Sequence, residues 1–209
     1  MPSVSAFSPM PLTARRDPFN DPRWIFEVKW DGFRALAHVH GGGAKLVSRR
    51  GLAYRQFRDL ESELSLELNA DDAILDGEIV KLDPSGRPIF ADLMRRRGPF
   101  AYVAFDVLAA NGKDLRGLTL TQRTKVLRAI VPARSATILY AQHVVGTGKE
   151  LFSAICAHDL EGIVAKRRSG RYGDPLERWF KIKNPEYSKA RDRIDVLEPR
   201  SDRAASDPR

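Results

Sequence analysis

Three charged residues alternate with apolar residues along a short segment near the N-terminus. Glu27, Lys29 and Asp31 occupy every second position, so an extended segment Trp24–Trp30 would direct their side chains to one face. A lysine in this setting is either a solvent-facing partner of Glu27 or a nucleophile. A nucleophilic lysine needs nearby cations or burial to favour its neutral amine. The local pattern leaves both interpretations open.

A second segment could supply those cations. Residues 179–183 predict a strand that directs Lys181 and Lys183 to one face and apolar side chains to the other. An exposed edge strand with this pattern is common. If the strand faces Lys29, its two ammonium groups could bind a phosphate and favour a neutral lysine amine by like-charge repulsion.

Other residues have a structural and a functional interpretation side by side. Asp76 and Glu78 interrupt an apolar strand, which is costly for carboxylates and favours a function. Phe105 lies in an apolar strand and fits core packing, and Glu161 fits a solvated turn after a helix. The basic run at 95–97 fits a solvated loop or a contact with DNA phosphates.

The elements that must position these residues alternate between strands and helices. Trp24–Trp30 and Phe33–His40 flank Asp31-Gly32, which predicts a hairpin. The other predicted strands are Ala44–Ser48, Ala73–Leu82, Tyr102–Ala109, Leu139–His143, Gly162–Lys166 and Trp179–Lys183, and the predicted helices are Tyr54–Leu68, Thr121–Ile130 and Lys149–His158. Thr121 is the predicted N-cap of its helix. Hairpins with inserted helices indicate an α+β fold.

Composition narrows the class of protein. A chain of 209 residues with 43% hydrophobic residues can form one sizeable core. The net charge of +8 is weak evidence for a polyanionic partner. Cys156 is the single cysteine and excludes an internal disulfide, the four histidines show no metal-ligand spacing, and no apolar run reaches the ~20 residues of a membrane span. We expect a soluble, cytoplasmic protein.

The two ends differ in composition from the centre. Residues 1–22 contain five of the 13 prolines and are predicted to form an irregular lead-in. Residues 23–184 form the predicted globular domain. Residues 185–209 are rich in Arg, Asp, Ser and Pro, and are predicted to form a polar, disordered tail.

Six segments resemble, in the same order, the motifs of the covalent nucleotidyltransferases, which are ATP-dependent DNA ligases, RNA ligases and mRNA capping enzymes. They match KxDGxR at 29–34, SRxG at 48–51, DGE at 76–78, an FDxL-type strand at 102–107, EGxVxK at 161–166 and KxK at 181–183. The forms EVKWDGFR and WFKIKNPEY look closest to bacterial ATP-dependent DNA ligases, especially modules tied to end-joining repair. The resemblance spans roughly residues 22–184.

This resemblance implies a fold and a reaction. The fold is that of a DNA ligase adenylation domain, which is ATP-grasp-like: two antiparallel sheets with flanking helices around a nucleotide cleft. Lys29 would attack the α-phosphate of ATP, form a lysyl-AMP intermediate and release pyrophosphate. AMP would pass to the 5′-phosphate of a nick in double-stranded DNA, and the 3′-hydroxyl would then seal the strand in repair or recombination.

The resemblance also implies roles for single residues. Glu27 would contact adenine, Arg34 and Glu78 would hold the ribose, and Phe105 would stack on the base. Glu161 would help to bind Mg²⁺ or Mn²⁺. The residues expected near phosphate are Lys181 and Lys183 for the nucleotide, Arg49 for the nucleotide or the nick, and Arg50 for DNA.

In one respect the sequence departs from the family. Its ligases normally add an OB-fold domain after the KxK strand, and only about 25 residues follow Lys183, too few for five strands and their turns. Without that domain we expect slow self-adenylation, or a separate protein that supplies the missing part. The alternatives are an RNA ligase-like nucleotidyltransferase, or a non-catalytic or partner-dependent module that binds nucleotide or nicked DNA. A bacterial, nucleoid-associated location is expected.

Overall fold

A computed structural model describes residues 7–189 of the chain. In this range the strands are β1 (Leu12–Ala14), β2 (Asn20–Val28), β3 (Phe33–His40), β4 (Gly43–Ser48), β5 (Asp72–Val80), β6 (Ala101–Ala110), β7 (Lys113–Asp114), β8 (Ile138–Tyr140), β9 (His143–Thr147), β10 (Gly162–Arg167) and β11 (Trp179–Lys183). The helices are α1 (Arg58–Glu67), α2 (Phe90–Met94), α3 (Leu120–Ile130) and α4 (Gly148–Ala157).

The strands form two sheets, as predicted for this α+β chain. The first sheet has the order β1-β11-β10-β2-β9, and the second has the order β4-β3-β5-β6-β7, with β8 also paired to β6. Most neighbours are antiparallel, and the described exceptions are the short parallel pairs β1–β11 and β6–β8. Two apposed sheets leave room between them for a cleft.

The predicted hairpin at Asp31-Gly32 is wrong. β2 lies in the first sheet and β3 in the second, so the intervening residues carry the chain from one sheet to the other. A Cβ atom on Gly32 would lie 2.1 Å from the carbonyl oxygen of Ile79. The glycine is therefore needed for close approach to β5 rather than for a two-residue turn.

The prediction of an irregular segment over residues 1–22 is corrected where the structure describes it. Leu12–Ala14 pairs in parallel with β11, and β2 already begins at Asn20. Phe7 and Met10 are buried between the sheets, so the apolar residues among the prolines anchor this segment. Residues 190–209, most of the predicted polar tail, lie outside the described residues.

The helices cover the outer faces of the sheets. α1 and α3 pack on the second sheet, and α4 packs on the first. The N-cap of α3 is Thr119 rather than the predicted Thr121, because Thr119 and Gln122 form a reciprocal capping box. Across residues 7–189, no helix is both long enough and apolar enough to cross a membrane.

Candidate active site

Strand register brings the predicted site residues into one cleft between the sheets. Lys181, Val164 and Glu27 are direct neighbours across the first sheet, so their side chains lie on the same face. In the second sheet, Arg34 lies opposite Glu78. The side chains that line the cleft are Leu12, Glu27, Val28, Lys29, Trp30, Arg34, Glu78, Phe105, Val164, Lys166 and Trp179.

Lys29 is placed at the mouth of this cleft by the end of β2. Its backbone N–H donates to the carbonyl oxygen of Gly162 at 2.9 Å, which ties it to the start of β10. Its Nζ lies 2.7 Å from Oε2 of Glu161, and Oε1 of the same carboxylate lies 3.7 Å from Nζ of Lys183. One buried carboxylate therefore holds two of the predicted lysines near each other. Lys181 lies one row further into the sheet.

Glu27 is paired with a lysine that the sequence analysis did not select. Nζ of Lys166 lies 2.6 Å from Oε2 of Glu27, and both side chains are almost completely buried. The same ammonium lies over the rings of Phe105 and Trp179, at 4.5 and 4.2 Å from their centroids. Burial raises the pKa of Glu27, and the charge of Lys166 opposes that rise. Lys166 is the closing lysine of the EGxVxK segment at 161–166, and that motif position was the signal for this residue.

Arg34 is held by a second buried network. Its guanidinium makes a two-point contact with Asp76, at 2.7 and 2.6 Å, and Asp76 also accepts a hydrogen bond from the hydroxyl of Tyr172. The guanidinium lies 4.9 Å from the ring centroid of Phe105. Arg34 and Phe105, both predicted to contact nucleotide, are thus in contact with each other at one wall of the cleft.

Glu78 lies close to these cations, and within residues 7–189 it forms no direct ion pair of its own. Burial raises the pKa of Glu78 to about 7. The positive charges of Arg34 and Lys29 oppose this rise, and the negative charges of Glu161 and Asp76 add to it. This carboxyl group therefore changes its protonation state near neutral pH, within the cleft.

Arg49 and Arg50 are not part of the cleft wall. They follow the end of β4, and both side chains are exposed. The adjacent Gly51 has a φ of 78°, so a turn presents the two arginines at the edge of the second sheet. Such exposed cations are available to a polyanion that lies across the molecule rather than inside the cleft.

Metal binding has one candidate ligand in this site. Within residues 7–189, no group of three or more His, Cys, Asp or Glu side chains is arranged to hold a metal ion. Mg²⁺ bound with a nucleotide commonly takes one or two carboxylates, and phosphate oxygens and water complete its shell. Glu161 fits this pattern as a single carboxylate beside the predicted phosphate-binding lysines.

A lysine amine that is paired with a buried carboxylate lies at a cleft between two sheets, and this arrangement fits a covalent nucleotidyltransferase. The model of the family described as "ATP dependent DNA ligase domain" matches residues 13–183, and the chain belongs to this family. The predicted membership of the ATP-dependent DNA ligase family is therefore confirmed.

Curated relatives share this region of the chain. The multifunctional non-homologous end joining DNA repair protein LigD of Mycobacterium tuberculosis is 37% identical over 171 residues, which cover 78% of this chain and 22% of that protein. The chain thus spans about a fifth of the length of this relative. The SPbeta prophage-derived DNA ligase-like protein LigB of Bacillus subtilis is 28% identical over 190 residues, and the match covers 87% of this chain and 68% of LigB.

A solved structure gives the same result for the fold. The mycobacterial DNA ligase D in complex with ATP and MES superposes with a TM-score of 0.72 and 32% sequence identity. The match covers 87% of this chain and 62% of that one. The predicted fold class, an adenylation domain with two sheets, is confirmed.

Proposed function

We propose that this chain binds ATP in the cleft between its sheets and transfers AMP through Lys29 to the 5′-phosphate of a nick in double-stranded DNA. The observation that carries the proposal is the position of the Lys29 amine, at the cleft and 2.7 Å from Glu161. This proposal adds the residues and the substrate to the ATP-dependent DNA ligase activity of the family. The end-joining context of LigD supports a role in break repair.

The first step forms a bond between Nζ of Lys29 and the α-phosphorus of ATP. The bond from that phosphorus to the pyrophosphate oxygen breaks, and pyrophosphate leaves. The ammonium must first lose a proton, and Glu161 is the carboxylate within hydrogen-bonding distance. Lys181 and Lys183 lie on the face of β11 that borders the cleft, where their charges would stabilise the phosphate oxygens in the transition state.

The rest of the nucleotide would extend into the cleft away from Lys29. Glu27 would accept a hydrogen bond from the adenine amino group, and the ion pair with Lys166 fixes the position of its carboxyl group. Glu78 and Arg34 would contact the ribose, and Asp76 sets the direction of the Arg34 guanidinium. Phe105, at the same wall, offers an aromatic ring to the base.

Mg²⁺ or Mn²⁺ would be held by Glu161 together with phosphate oxygens, and it supplies charge neutralisation at the reacting phosphate. Arg49 and Arg50 would contact DNA phosphates from outside the cleft. A cytoplasmic, nucleoid-associated location fits a DNA substrate, and a separate partner protein could add contacts to DNA.

The intact mass of the protein after incubation with ATP, Mg²⁺ and pyrophosphatase tests this proposal. We expect a gain of one AMP in the wild-type chain and none in Lys29→Ala. Lys29→Arg should remain folded and also gain nothing, because a guanidinium stays protonated and cannot attack. AMP retained by either variant would remove Lys29 from its assigned role.

A nicked duplex that already carries a 5′-AMP separates the attachment of AMP to Lys29 from the sealing of the strand. If the chain gains no AMP from ATP but seals this duplex, it is a ligase that depends on another source of activated ends. Failure of both reactions would favour the non-catalytic or partner-dependent module.

A further inference from the structure

After β11 the chain folds back over two loops of the candidate active site. We refer to Asn184–Lys189 as the return segment. The side-chain amide of Asn184 donates to the carbonyl oxygen of Leu160 at 3.2 Å, and its backbone N–H donates to that of Glu161 at 2.9 Å. The first residue of the return segment is therefore fixed to the residue whose carboxylate holds Lys29.

The far end of the return segment is fixed as well. The backbone N–H of Ser188 donates to Oδ1 of Asp159 at 2.9 Å, and its hydroxyl donates to Oδ2 of the same carboxylate. Nζ of Lys189 donates to the carbonyl oxygen of Pro88 at 3.0 Å. The return segment is thus anchored to the loop before Glu161 and to the loop between β5 and α2.

Between these anchors, one side chain reaches the loop that carries the nucleophile. Tyr187 is 8% exposed, and its hydroxyl donates to Oδ2 of Asp31 at 3.1 Å. Asp31 is 2% exposed and follows Lys29 by two residues. Burial and the adjacent carboxylate both raise the pKa of Tyr187, so its hydroxyl remains a donor at neutral pH. A buried carboxylate depends on such donors for its stability.

We propose that Tyr187 is a positioning residue for the lysine nucleophile, because its hydroxyl fixes Asp31 and thereby the backbone on the C-terminal side of Lys29. The N-terminal side is fixed by the hydrogen bond from Lys29 to Gly162. The inference rests on the proposed function in that Lys29 is taken as the nucleophile. It adds a residue outside positions 13–183, which the family model covers.

The expected consequence is a change in rate rather than in nucleotide affinity. A misplacement of about 1 Å in a reacting group can lower a rate by about 100-fold. Tyr187 does not line the cleft, so its loss should leave the binding of ATP nearly unchanged. A general loss of stability would not separate rate from affinity in this way.

Single-turnover attachment of labelled AMP tests the inference in Tyr187→Phe, Asp31→Asn and the double variant. We expect Tyr187→Phe to lower the maximal rate by roughly 5- to 100-fold, with half-saturating ATP within about twofold of the wild type. The double variant should be no slower than the slower single variant, because Asp31→Asn weakens the same hydrogen bond that Tyr187→Phe removes. A wild-type rate in Tyr187→Phe, or fully multiplicative losses in the double variant, would overturn the role.

A second measurement does not depend on AMP transfer. Reductive ¹³C-methylation labels lysine amines, and loss of one NMR signal in Lys29→Arg identifies that of Lys29. This signal should move in Tyr187→Phe and stay in place in Glu186→Gln, an exposed change in the same return segment. An unmoved signal in Tyr187→Phe contradicts the inference. If the wild-type chain retains no AMP, the proposed function fails, while this signal still decides the role of Tyr187.

Discussion

The carboxylate of Glu27 lies 2.6 Å from Nζ of Lys166, and the two residues are 3% and 1% exposed. They come from β2 and β10, which are neighbours in the first sheet, and both side chains line the cleft between the sheets. In an ion pair this deeply buried, each charged group depends on its partner, because no water is present to solvate it if the partner is removed.

Removal of one partner of this pair should therefore destabilise the fold strongly. We expect Lys166→Met to lower the free energy of unfolding by about 3–5 kcal/mol, because it leaves Glu27 charged and unpaired, or forces its protonation. Urea denaturation measures the change. The double variant Glu27→Gln with Lys166→Met should recover part of the loss, and a double variant as unstable as the sum of the single changes contradicts a coupled pair.

Glu161 contacts two lysines at once, so we expect its replacement to change the rate of AMP attachment to Lys29, in a way that depends on the Mg²⁺ concentration. Glu161→Gln should lower the rate of AMP attachment by at least about tenfold, because Lys29 and Lys183 lose their shared anion. If the carboxylate also binds Mg²⁺, a higher Mg²⁺ concentration should recover part of this rate. Rates at several Mg²⁺ concentrations test both points. Glu150→Gln, an exposed change on α4, is the matched control and should behave as the wild type.

The raised pKa of Glu78, about 7, predicts a pH dependence of stability with a definite sign. The folded state holds this proton more tightly than the unfolded state, so the contribution is complete at low pH and is lost as pH rises through about 7. Glu78→Gln mimics the protonated form. The variant should match the wild type near pH 5 and exceed it by roughly 1–3 kcal/mol at pH 8.

Thermal unfolding at several pH values checks this expectation. Asp71→Asn, which changes an exposed carboxyl group outside the cleft, is the control and should show no such pH-dependent gain. A difference between Glu78→Gln and the wild type that stays constant from pH 5 to pH 8 would show that Glu78 does not titrate in this range.

Local patterns predicted the strands and the main helices because alternation and helical periodicity record which side of each element is buried. The long apolar runs of β5 and β6 and the helix α3 are confirmed. The hairpin at Asp31-Gly32 failed because strand pairing is not local: β2 pairs with β9 and β10, more than a hundred residues later. The turn residues were recognised, but Gly32 serves a close backbone contact instead.

The candidate site likewise contains residues that the sequence predicted and one that it did not. Lys29, Glu161 and Lys183 were selected by residue type and motif, and the structure brings them together. Lys166 closes the EGxVxK segment but was given no role, because a lysine in an apolar strand reveals its partner only when the neighbouring strand is known. In the register of β2 and β10, Lys166 lies opposite Ile25. Glu27 lies two residues further along β2 on the same face, where the two side chains meet.

Arg49 and Arg50 lie at the exposed end of β4, and they predict a salt dependence of DNA binding. Each cation that contacts a phosphate releases counterions, so the slope of log affinity against log salt should fall by roughly one for each arginine removed. Fluorescence anisotropy of labelled nicked duplexes at several salt concentrations measures this slope. The double change to alanine should weaken binding equally for duplexes of different sequence, because phosphate contacts carry no base information.

The matched control for this last prediction is Lys113→Ala, which removes an exposed cation from β7, at the other end of the second sheet. The control keeps the net charge close to that of the arginine variants, so it separates a local contact from a general charge effect. We expect the slope for Lys113→Ala to match the wild type. Equal slopes for the control and the arginine variants would place the DNA away from the β4 edge.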